Sequence, residues 1–556
     1  MSIELSLFYL LRTKEEVILL EEQSANSTQQ GELIKLGAKI NNPYSVKTMQ
    51  NAYNELLVEG IIKSSTSKEE LIPTTHLYVR FLPQNFDELC LLTDSLHLML
   101  FDHSLLYEIE QDGEYYHDPS LPENIITWQY TTVNQNFNFP KVQYEIIEEC
   151  FIPSECEYTK NSLVELIEER ALQITGFLKK DVSRTDNEIG SKGLSLERPT
   201  GVIKFQDPNR SNNSVNAKSI TIRCWVGAKI GRGITDNEGY YSCNKKFRVG
   251  PYYRLYFYRN NDWSIKHNTI SLSVAKNIGL GYHNKKGFSK TFTASGDKND
   301  IPFFIVSTAA HDYFKWCEDN GILKPHNDLR IWVASFVGCS APMMSKVTGP
   351  LWVLGNPNHV HLDDVDGWGT FAKTILFTGL ANQANVITYI LGLRPDITLT
   401  HSTTCTSLYQ STMHELAHTS HMRKVGATYW SNYISYILTQ WVNKQDTYGN
   451  KEALMSGICG VCESWGFYIG GMMASNEFGG YKFTGDSYWF RPQIHRQLTG
   501  IYSRPDHPRL TNSLSAKQIF DCLTSDVKSH EQLSYRLTSK YGRNNEIENI
   551  FTSFGF

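Results

Sequence analysis

His414, Glu415 and His418 form a short pattern that could assemble most of a hydrolytic metal site. On a helix, residues four apart lie on the same face, so both imidazoles point the same way. Two neutral imidazole nitrogens can bind one Zn²⁺ at about 2.0–2.1 Å. Glu415 neighbours the first histidine and is placed to accept a proton from a water molecule at the metal. The pattern therefore predicts a zinc site with Glu415 as general base.

The chain around this pattern favours a helix. Residues 402–425 contain no Pro and no Gly, and Gly426 supplies a natural end. Four residues form a compact second face that could pack on a core: Met413, Leu416, Ala417 and Ser420. The alternative is an ordinary surface helix that carries two histidines by chance.

A zinc hydrolase needs a third protein ligand and an open position for water. Glu463 fits the third position best, because small residues around it would let two helices approach closely. These small residues are Gly457, Gly460, Gly466, Gly470, Gly471 and Ala474. A carboxylate in such an apolar segment needs a counter-charge, which Zn²⁺ would supply. Glu452 and Glu477 bracket Glu463 but lie in polar segments, which predicts that both are solvated.

With these residues the chain resembles the gluzincin class of zinc metallopeptidases, in which a two-histidine helix is joined by a distant glutamate. The resemblance covers only about residues 398–475. It implies that the two histidines and Glu463 bind one Zn²⁺ per chain and that Glu415 is the general base. Gluzincins often have an Asp four residues after the ligand Glu, whereas this chain has Phe467. A carboxylate that orients a zinc-bound histidine would therefore come from elsewhere.

Several nearby polar residues have less certain roles. His421 shares the metal-facing stripe and could line a cleft, although a solvated histidine at the helix end is the preferred interpretation. Cys459 and Cys462 lack a second pair that would complete a structural zinc site, so we interpret them as small buried residues. Three alternating residues could bind a metal from a strand but are better interpreted as a polar loop: His359, His361 and Asp363.

The expected reaction is hydrolysis of a peptide bond in a peptide or protein, including a glycoprotein. Glu415 would pass the water proton to the leaving amine. The oxyanion needs a further donor, and the sequence does not choose among Tyr429, Tyr488, His495 and Tyr502. The same ligands would serve a zinc hydrolase that acts on a non-peptide amide or ester. A non-catalytic protein that binds protein or glycan is a third alternative.

The sequence predicts a multidomain α+β protein. Residues 1–180 form an N-terminal α+β module of unknown role, and residues 181–199 form a polar linker. In residues 200–275, short aromatic strands flank a turn that begins at Asp236, and this segment resembles the Ig-like β-sandwich of carboxypeptidase-regulatory-like domains. Residues 276–556 hold the histidine pattern and are expected to form a zincin-like catalytic domain, with a small sheet above and helices below.

Composition limits the partners and the compartment. The chain has 556 residues, 41% of them hydrophobic and 20% charged, with a net charge of −5 and no basic run, so nucleic acid is not an expected partner. No segment approaches the ~20 apolar residues of a transmembrane helix. Eleven cysteines, an odd number, make a disulfide framework unlikely. The sandwich favours an extracellular or cell-envelope location, reached through a leader absent from this sequence, with the cytoplasm left open.

Overall fold

The structure is a computed structural model that describes residues 33–63, 71–122, 125–160, 162–178, 194–208, 214–259, 262–267, 275–334, 340, 396–401, 404–442, 448–479, 483–501 and 504–556. These residues form a multidomain mixed α/β protein with several antiparallel sheets. His359, His361 and Asp363 lie outside the described residues. Within these ranges, no helix has the length and apolar character required to cross a membrane.

In the described chain, the N-terminal part combines two antiparallel sheets with four α-helices and a short π-helix (Leu91–Ser95). Strand β1 pairs with β3, and β2 lies between β4 and β5. The elements are β1 (Lys35–Lys39), α1 (Val46–Val58), β2 (His76–Leu82), α2 (Phe86–Cys90), β3 (Tyr107–Gln111), β4 (Gln129–Asn134), β5 (Gln143–Cys150), α3 (Glu155–Lys160) and α4 (Ser162–Ile174). Ser45 caps α1, as its position in the sequence predicts, because its hydroxyl accepts a hydrogen bond from the Thr48 amide at 3.1 Å.

The central part contains two four-stranded sheets. One contains β6, β7, β10 and β15, and the other has the order β14-β11-β8-β9. The strands are β6 (Thr200–Gln206), β7 (Ser214–Asn216), β8 (Thr221–Val226), β9 (Lys229–Ile234), β10 (Tyr240–Ser242), β11 (Tyr252–Tyr256), β14 (Asn277–Tyr282) and β15 (Lys290–Phe292). Buried side chains join the two sheets: Cys224 of β8 and Cys243, which follows β10, place their sulfur atoms 3.4 Å apart.

The turn before β10 has the conformation that its sequence predicts. The Asp236 carboxylate accepts hydrogen bonds from the amides of Glu238 and Tyr240, at 2.9 and 3.0 Å. Gly239 adopts a φ of 70°, which a side chain would disfavour. The turn therefore places β10 beside β6.

A third four-stranded sheet crosses the expected boundary at residue 275. It has the order β12-β13-β16-β17, with strands β12 (Tyr258–Arg259), β13 (Trp263–His267), β16 (Leu329–Ala334) and β17 (Ile397–Thr400). Strands β13, β16 and β17 are parallel, so β13 belongs with the strands that precede the histidine helix. The sequence-based boundary overlooked this pairing because a strand's own sequence does not reveal which distant strand it joins.

The C-terminal part is mainly helical. Its helices are α5 (Ile301–Asn320), α6 (Cys405–Val425), α7 (Ala427–Val442), α8 (Ser456–Phe478), α9 (Gln493–Thr499), α10 (Ala516–Cys522), α11 (His530–Tyr541) and α12 (Asn544–Ser553). Helix α6 packs against α5, α7, α8 and strand β17. Tyr313 of α5 donates a hydrogen bond to the buried hydroxyl of Ser420 at 2.8 Å, which fixes α5 against α6.

A buried charge cluster joins the N-terminal module to the central sheets. The Glu168 carboxylate of α4 contacts Lys229 of β9 at 3.2 Å and Arg248 at 2.6 Å, and it accepts a hydrogen bond from the Tyr44 hydroxyl at 2.8 Å. Burial favours a raised pKa for Glu168, but the Lys229 and Arg248 charges outweigh it and hold the pKa below its ordinary value. The carboxylate is therefore ionised at neutral pH and stabilises the folded state.

We expect Glu168→Gln to lower the free energy of unfolding by about 3–5 kcal/mol at pH 7, because it leaves the buried Lys229 without its counter-charge and removes the shortest ion pair of Arg248. The pKa is lower in the folded state, so the stabilisation is present above the unfolded pKa of about 4.3 and is lost as the pH falls. Urea unfolding at several pH values should show the variant approaching wild type in acid. Glu165→Gln, on the half-exposed partner of Arg248, is the control and should cost less than about 1 kcal/mol. Equal losses of unfolding free energy in both variants would contradict the stabilising role of the Glu168 carboxylate.

Candidate metal centre

Helix α6 brings His414 and His418 together. The helix covers the expected residues and ends before Gly426, whose φ is 85°. The predicted second face of α6, formed by Met413, Leu416, Ala417 and Ser420, is fully buried. Helix α6 therefore packs into the core and does not lie on the surface. One turn apart, the two imidazoles place their Nε2 atoms 2.9 Å from each other. The interpretation of an ordinary surface helix is therefore wrong, and metal binding by the two histidines stays a prediction.

Glu463 reaches both histidines from helix α8. Its Oε2 atom lies 3.3 Å from His414 Nε2 and 3.7 Å from His418 Nε2. The side chain is nearly inaccessible to solvent, as is that of His418. The structure thus brings together the three residues that the sequence suggests as ligands, from helices separated by 30 residues of chain.

Two glycines of α8 permit this approach. A Cβ atom on Gly466 would lie 2.9 Å from His414 Cε1 and 2.9 Å from His418 Nε2. One on Gly470 would lie 3.0 Å from the Gln410 carbonyl oxygen, in the backbone of α6. All three distances are shorter than ordinary contacts of a carbon atom. Gly466 and Gly470 therefore have the steric function that the small residues around Glu463 suggest.

We expect Gly466→Ala to weaken metal binding, because its new methyl group would displace the imidazoles. The overpacking itself costs about 1–3 kcal/mol of stability. Gly471→Ala, on the same helix, is the matched control: its Cβ would meet the Phe483 ring instead. Both variants should be less stable in thermal unfolding, but only Gly466→Ala should have a lower zinc affinity in competition with a chelator. Equal zinc affinities in the two variants would contradict this role for Gly466.

The spacing of the three ligand atoms suits a tetrahedral ion. Ligand atoms bound to zinc at about 2.0–2.1 Å in tetrahedral geometry lie about 3.3 Å from one another. The observed separations of 2.9, 3.3 and 3.7 Å scatter around that value. Glu463 Oε2 has no other hydrogen-bond partner among the described residues, although it is buried. A cation between these atoms would satisfy lone pairs that otherwise face one another.

Glu415 lies beside the ligands and is also buried. One of its carboxylate oxygens is within 4.8 Å of a nitrogen of each histidine, and Oε2 has no partner among the described residues. Burial raises the pKa of Glu415 to about 8; the His414 charge opposes this rise and the Glu463 charge adds to it. Two carboxylates are thus available to a metal. Glu463 is the better ligand because its oxygen makes the short contacts to both imidazoles.

Tyr433 fixes Glu463 in place, and sequence reasoning did not identify it. Its hydroxyl, on α7, donates a buried hydrogen bond to Glu463 Oε1, which leaves Oε2 for the imidazoles. The pKa of Glu463 is held well below its ordinary value, since the histidine hydrogen bonds outweigh burial, which acts in the opposite direction. A sequence signal was present: Tyr433 lies among aromatic residues on an apolar helix, and a buried tyrosine hydroxyl needs a partner.

A second tyrosine lies near the two carboxylates. Burial raises the pKa of Tyr448, and the charges of Glu463 and Glu415 raise it further. The Tyr448 backbone carbonyl accepts hydrogen bonds from Tyr436 and from the Trp489 indole, both at 3.0 Å. The Tyr448 backbone is therefore fixed by Tyr436 and Trp489.

The position of His421 contradicts its interpretation as a solvated histidine at the helix end. It is completely buried rather than solvated, and its ring lies against the rings of Tyr429 and Trp430. Neither ring nitrogen has a hydrogen-bond partner among the described residues, and burial lowers the pKa of His421 to about 3. The interpretation failed because α7 follows immediately after Gly426 and covers the end of α6.

The four candidate oxyanion donors differ in their surroundings. Tyr429 donates to the Val527 carbonyl at 2.9 Å, and His495 lies 3.0 Å from the Ser464 hydroxyl, so both have partners elsewhere. Tyr488 packs in an aromatic group with Phe467. Tyr502 lies outside the described residues.

The remaining sequence interpretations concern Phe467 and the neighbouring acidic and thiol groups. The Phe467 ring packs edge-on against His414, with centroids 4.6 Å apart, where gluzincins often have a carboxylate. His418 Nδ1 has no hydrogen-bond partner in the part of the chain that the structure describes. The predictions that Cys459 and Cys462 are buried and that both bracketing glutamates are exposed are confirmed.

Comparison with known proteins adds no relative: no family, curated protein or solved structure matches this chain. The geometry of the site is therefore the main guide to its function.

Proposed function

We propose that this chain is a zinc-dependent metallopeptidase. The observation that carries the proposal is the convergence of His414, His418 and Glu463 on one point, with an unpaired buried carboxylate, Glu415, beside them. Two imidazoles and a carboxylate are a ligand set typical of catalytic zinc, which keeps a fourth position for water or substrate. The donor atoms fit one Zn²⁺ per chain.

When bound, the ion would make water more acidic and polarise the substrate carbonyl. Glu415 accepts the proton of the attacking water and delivers it to the leaving amine as the peptide bond breaks. Glu463 supplies a negative charge at the metal, and Tyr433 holds that carboxylate in one orientation. Phe467 packs edge-on against the His414 imidazole, and Trp430 and Tyr433 pack against that of His418, which limits the access of water to both rings.

The finer assignments of fold and location belong to the same proposal. The four-stranded sheet ending in β17, followed by the histidine helix α6, is consistent with a zincin-like domain of the gluzincin class. The two sheets between residues 200 and 292 are consistent with a carboxypeptidase-regulatory-like sandwich. Such sandwiches are usually adhesive or structural, which favours an extracellular or cell-envelope protease acting on peptides or proteins.

The test is zinc content together with chelator-sensitive hydrolysis. We expect elemental analysis to give about one zinc per purified chain, and we expect cleavage of an unstructured protein such as casein to stop with a chelator and return with added zinc. Zinc without cleavage of any peptide, combined with hydrolysis of simple esters, would favour a non-peptide hydrolase. A chain that binds no zinc when incubated with excess metal would contradict the proposal and leave a binding protein.

A further inference from the structure

A recess lies where the three parts of the chain meet, on elements other than α6, α7 and α8. Its wall combines residues 93–98 of the N-terminal module with Arg223 of β8 and the ends of β12, β13 and β16. Its cavity volume is about 50 Å³, and it opens to solvent. Three arginines line it: Arg223, Arg259 and Arg330.

Arg223 is a buried cation whose partners are all neutral. Its guanidinium donates to the Leu100 carbonyl and, from Nε and Nη2, to the Tyr258 hydroxyl at 3.2 and 2.9 Å. It also lies over the Tyr256 ring, 4.1 Å from the centroid. Among the described residues no carboxylate forms an ion pair with it. Burying a charge is costly without an opposite charge, so the wall of the recess has an uncompensated positive charge.

Trp263 adds a neutral donor to the same wall. Its ring packs on Phe314, with centroids 4.8 Å apart, and the buried indole nitrogen has no hydrogen-bond partner among the described residues. Buried donors of this kind are usually paired with protein or with bound ligand or water. Arg223 therefore lacks an opposite charge, and Trp263 lacks a hydrogen-bond acceptor, among the described residues.

The carboxylates near the recess pair with two of its three arginines. Asp94 lies 3.5 Å from Arg330, and Asp262 lies 3.0 Å from Arg259. Asp328 also lines the recess. These carboxylates balance the outer arginines and would discourage a ligand of high charge. Arg223 is the lining arginine for which no carboxylate partner lies among the described residues.

We propose that this recess binds a small oxyanion, meaning a phosphate, sulfate or carboxylate group. Arg223 supplies the buried cation, Arg259 a half-exposed cation at the entrance and Trp263 a neutral N–H donor. Guanidinium groups suit such ligands because they form paired, charge-assisted hydrogen bonds with oxyanions. Since the wall contains residues from all three parts of the chain, an occupied recess stabilises their junction.

The test is thermal unfolding of the full chain in phosphate, sulfate or acetate at constant ionic strength, with chloride as the reference. We expect a saturable rise in the melting temperature with at least one oxyanion. A response to phosphate and sulfate alone identifies a tetrahedral anion, and a response to acetate alone identifies a carboxylate. Arg259→Gln and Trp263→Phe should each weaken the apparent affinity about tenfold, through loss of one hydrogen-bond donor. Both retain Arg223, whose own replacement risks unfolding the chain.

Arg232→Gln is the matched control, because Arg232 pairs with Arg223 across β8 and β9 but does not line the recess. It should respond to the anion as wild type does. The titration is repeated on Glu463→Ala, so that an anion acting through the candidate metal centre is recognised by loss of the effect. No rise above the chloride reference, or equal responses from Arg259→Gln, Trp263→Phe and wild type, would overturn the proposal.

Discussion

Glu415→Gln is expected to keep about one zinc per chain and to lose hydrolysis by roughly 10²–10⁴-fold, the contribution of a positioned general base. The substitution preserves the shape of the side chain and removes its ability to accept a proton. Glu415 makes no short contact comparable to the 3.3 Å distance between His414 and Glu463, so the ligand set should remain intact. The measurement is kcat/KM on a peptide substrate, with zinc determined on the same preparation.

The control is Glu477→Gln, an exposed carboxylate at the end of α8, which should leave both zinc content and turnover unchanged. Glu415→Gln also removes a buried carboxylate with an unpaired oxygen, so its stability should be close to or above that of wild type. Loss of zinc from Glu415→Gln would instead make Glu415 a ligand. If Glu415→Gln retained both zinc and turnover, Glu415 would not be the general base.

The local parts of the site were predictable from sequence. A stretch free of Pro and Gly that ends at Gly426 predicts helix α6, and the i, i+4 spacing then places two imidazoles together. The small residues around Glu463 predict a close helix contact, and Gly466 lies directly against both imidazoles. These signals are local, because helix periodicity and steric size are properties of the chain itself.

The parts that were not predictable depend on contacts between distant segments. Tyr433 and Glu463 are 30 residues apart, and no spacing rule links a tyrosine on one helix to a carboxylate on another. His421 looked solvated because its own helix ends four residues later, but α7 returns over it. Strand β13 looked like part of the sandwich until its parallel pairing with β16 placed it in another sheet. Each of these features depends on tertiary packing, which a local pattern does not encode.

Glu463→Ala should cause the largest loss of metal. Removing an outer-shell partner of a metal ligand typically costs 10–100-fold in affinity, so removing a direct ligand should cost more than about 100-fold. The two histidines would remain, held by α6, and would bind zinc weakly. The measurement is zinc affinity in competition with a chelator, alongside zinc content after dialysis.

Tyr433→Phe provides a graded comparison, because it leaves the Glu463 carboxylate in place and removes only the hydrogen bond that orients it. We expect its zinc affinity to fall by about 10–100-fold, between wild type and Glu463→Ala. Circular dichroism of each variant separates loss of metal from loss of fold. If Glu463→Ala kept its zinc while Glu415→Gln lost it, the two carboxylates would exchange roles. Full retention of zinc in both variants would place the third ligand outside this pair and leave Glu463 as a buried partner of the histidines.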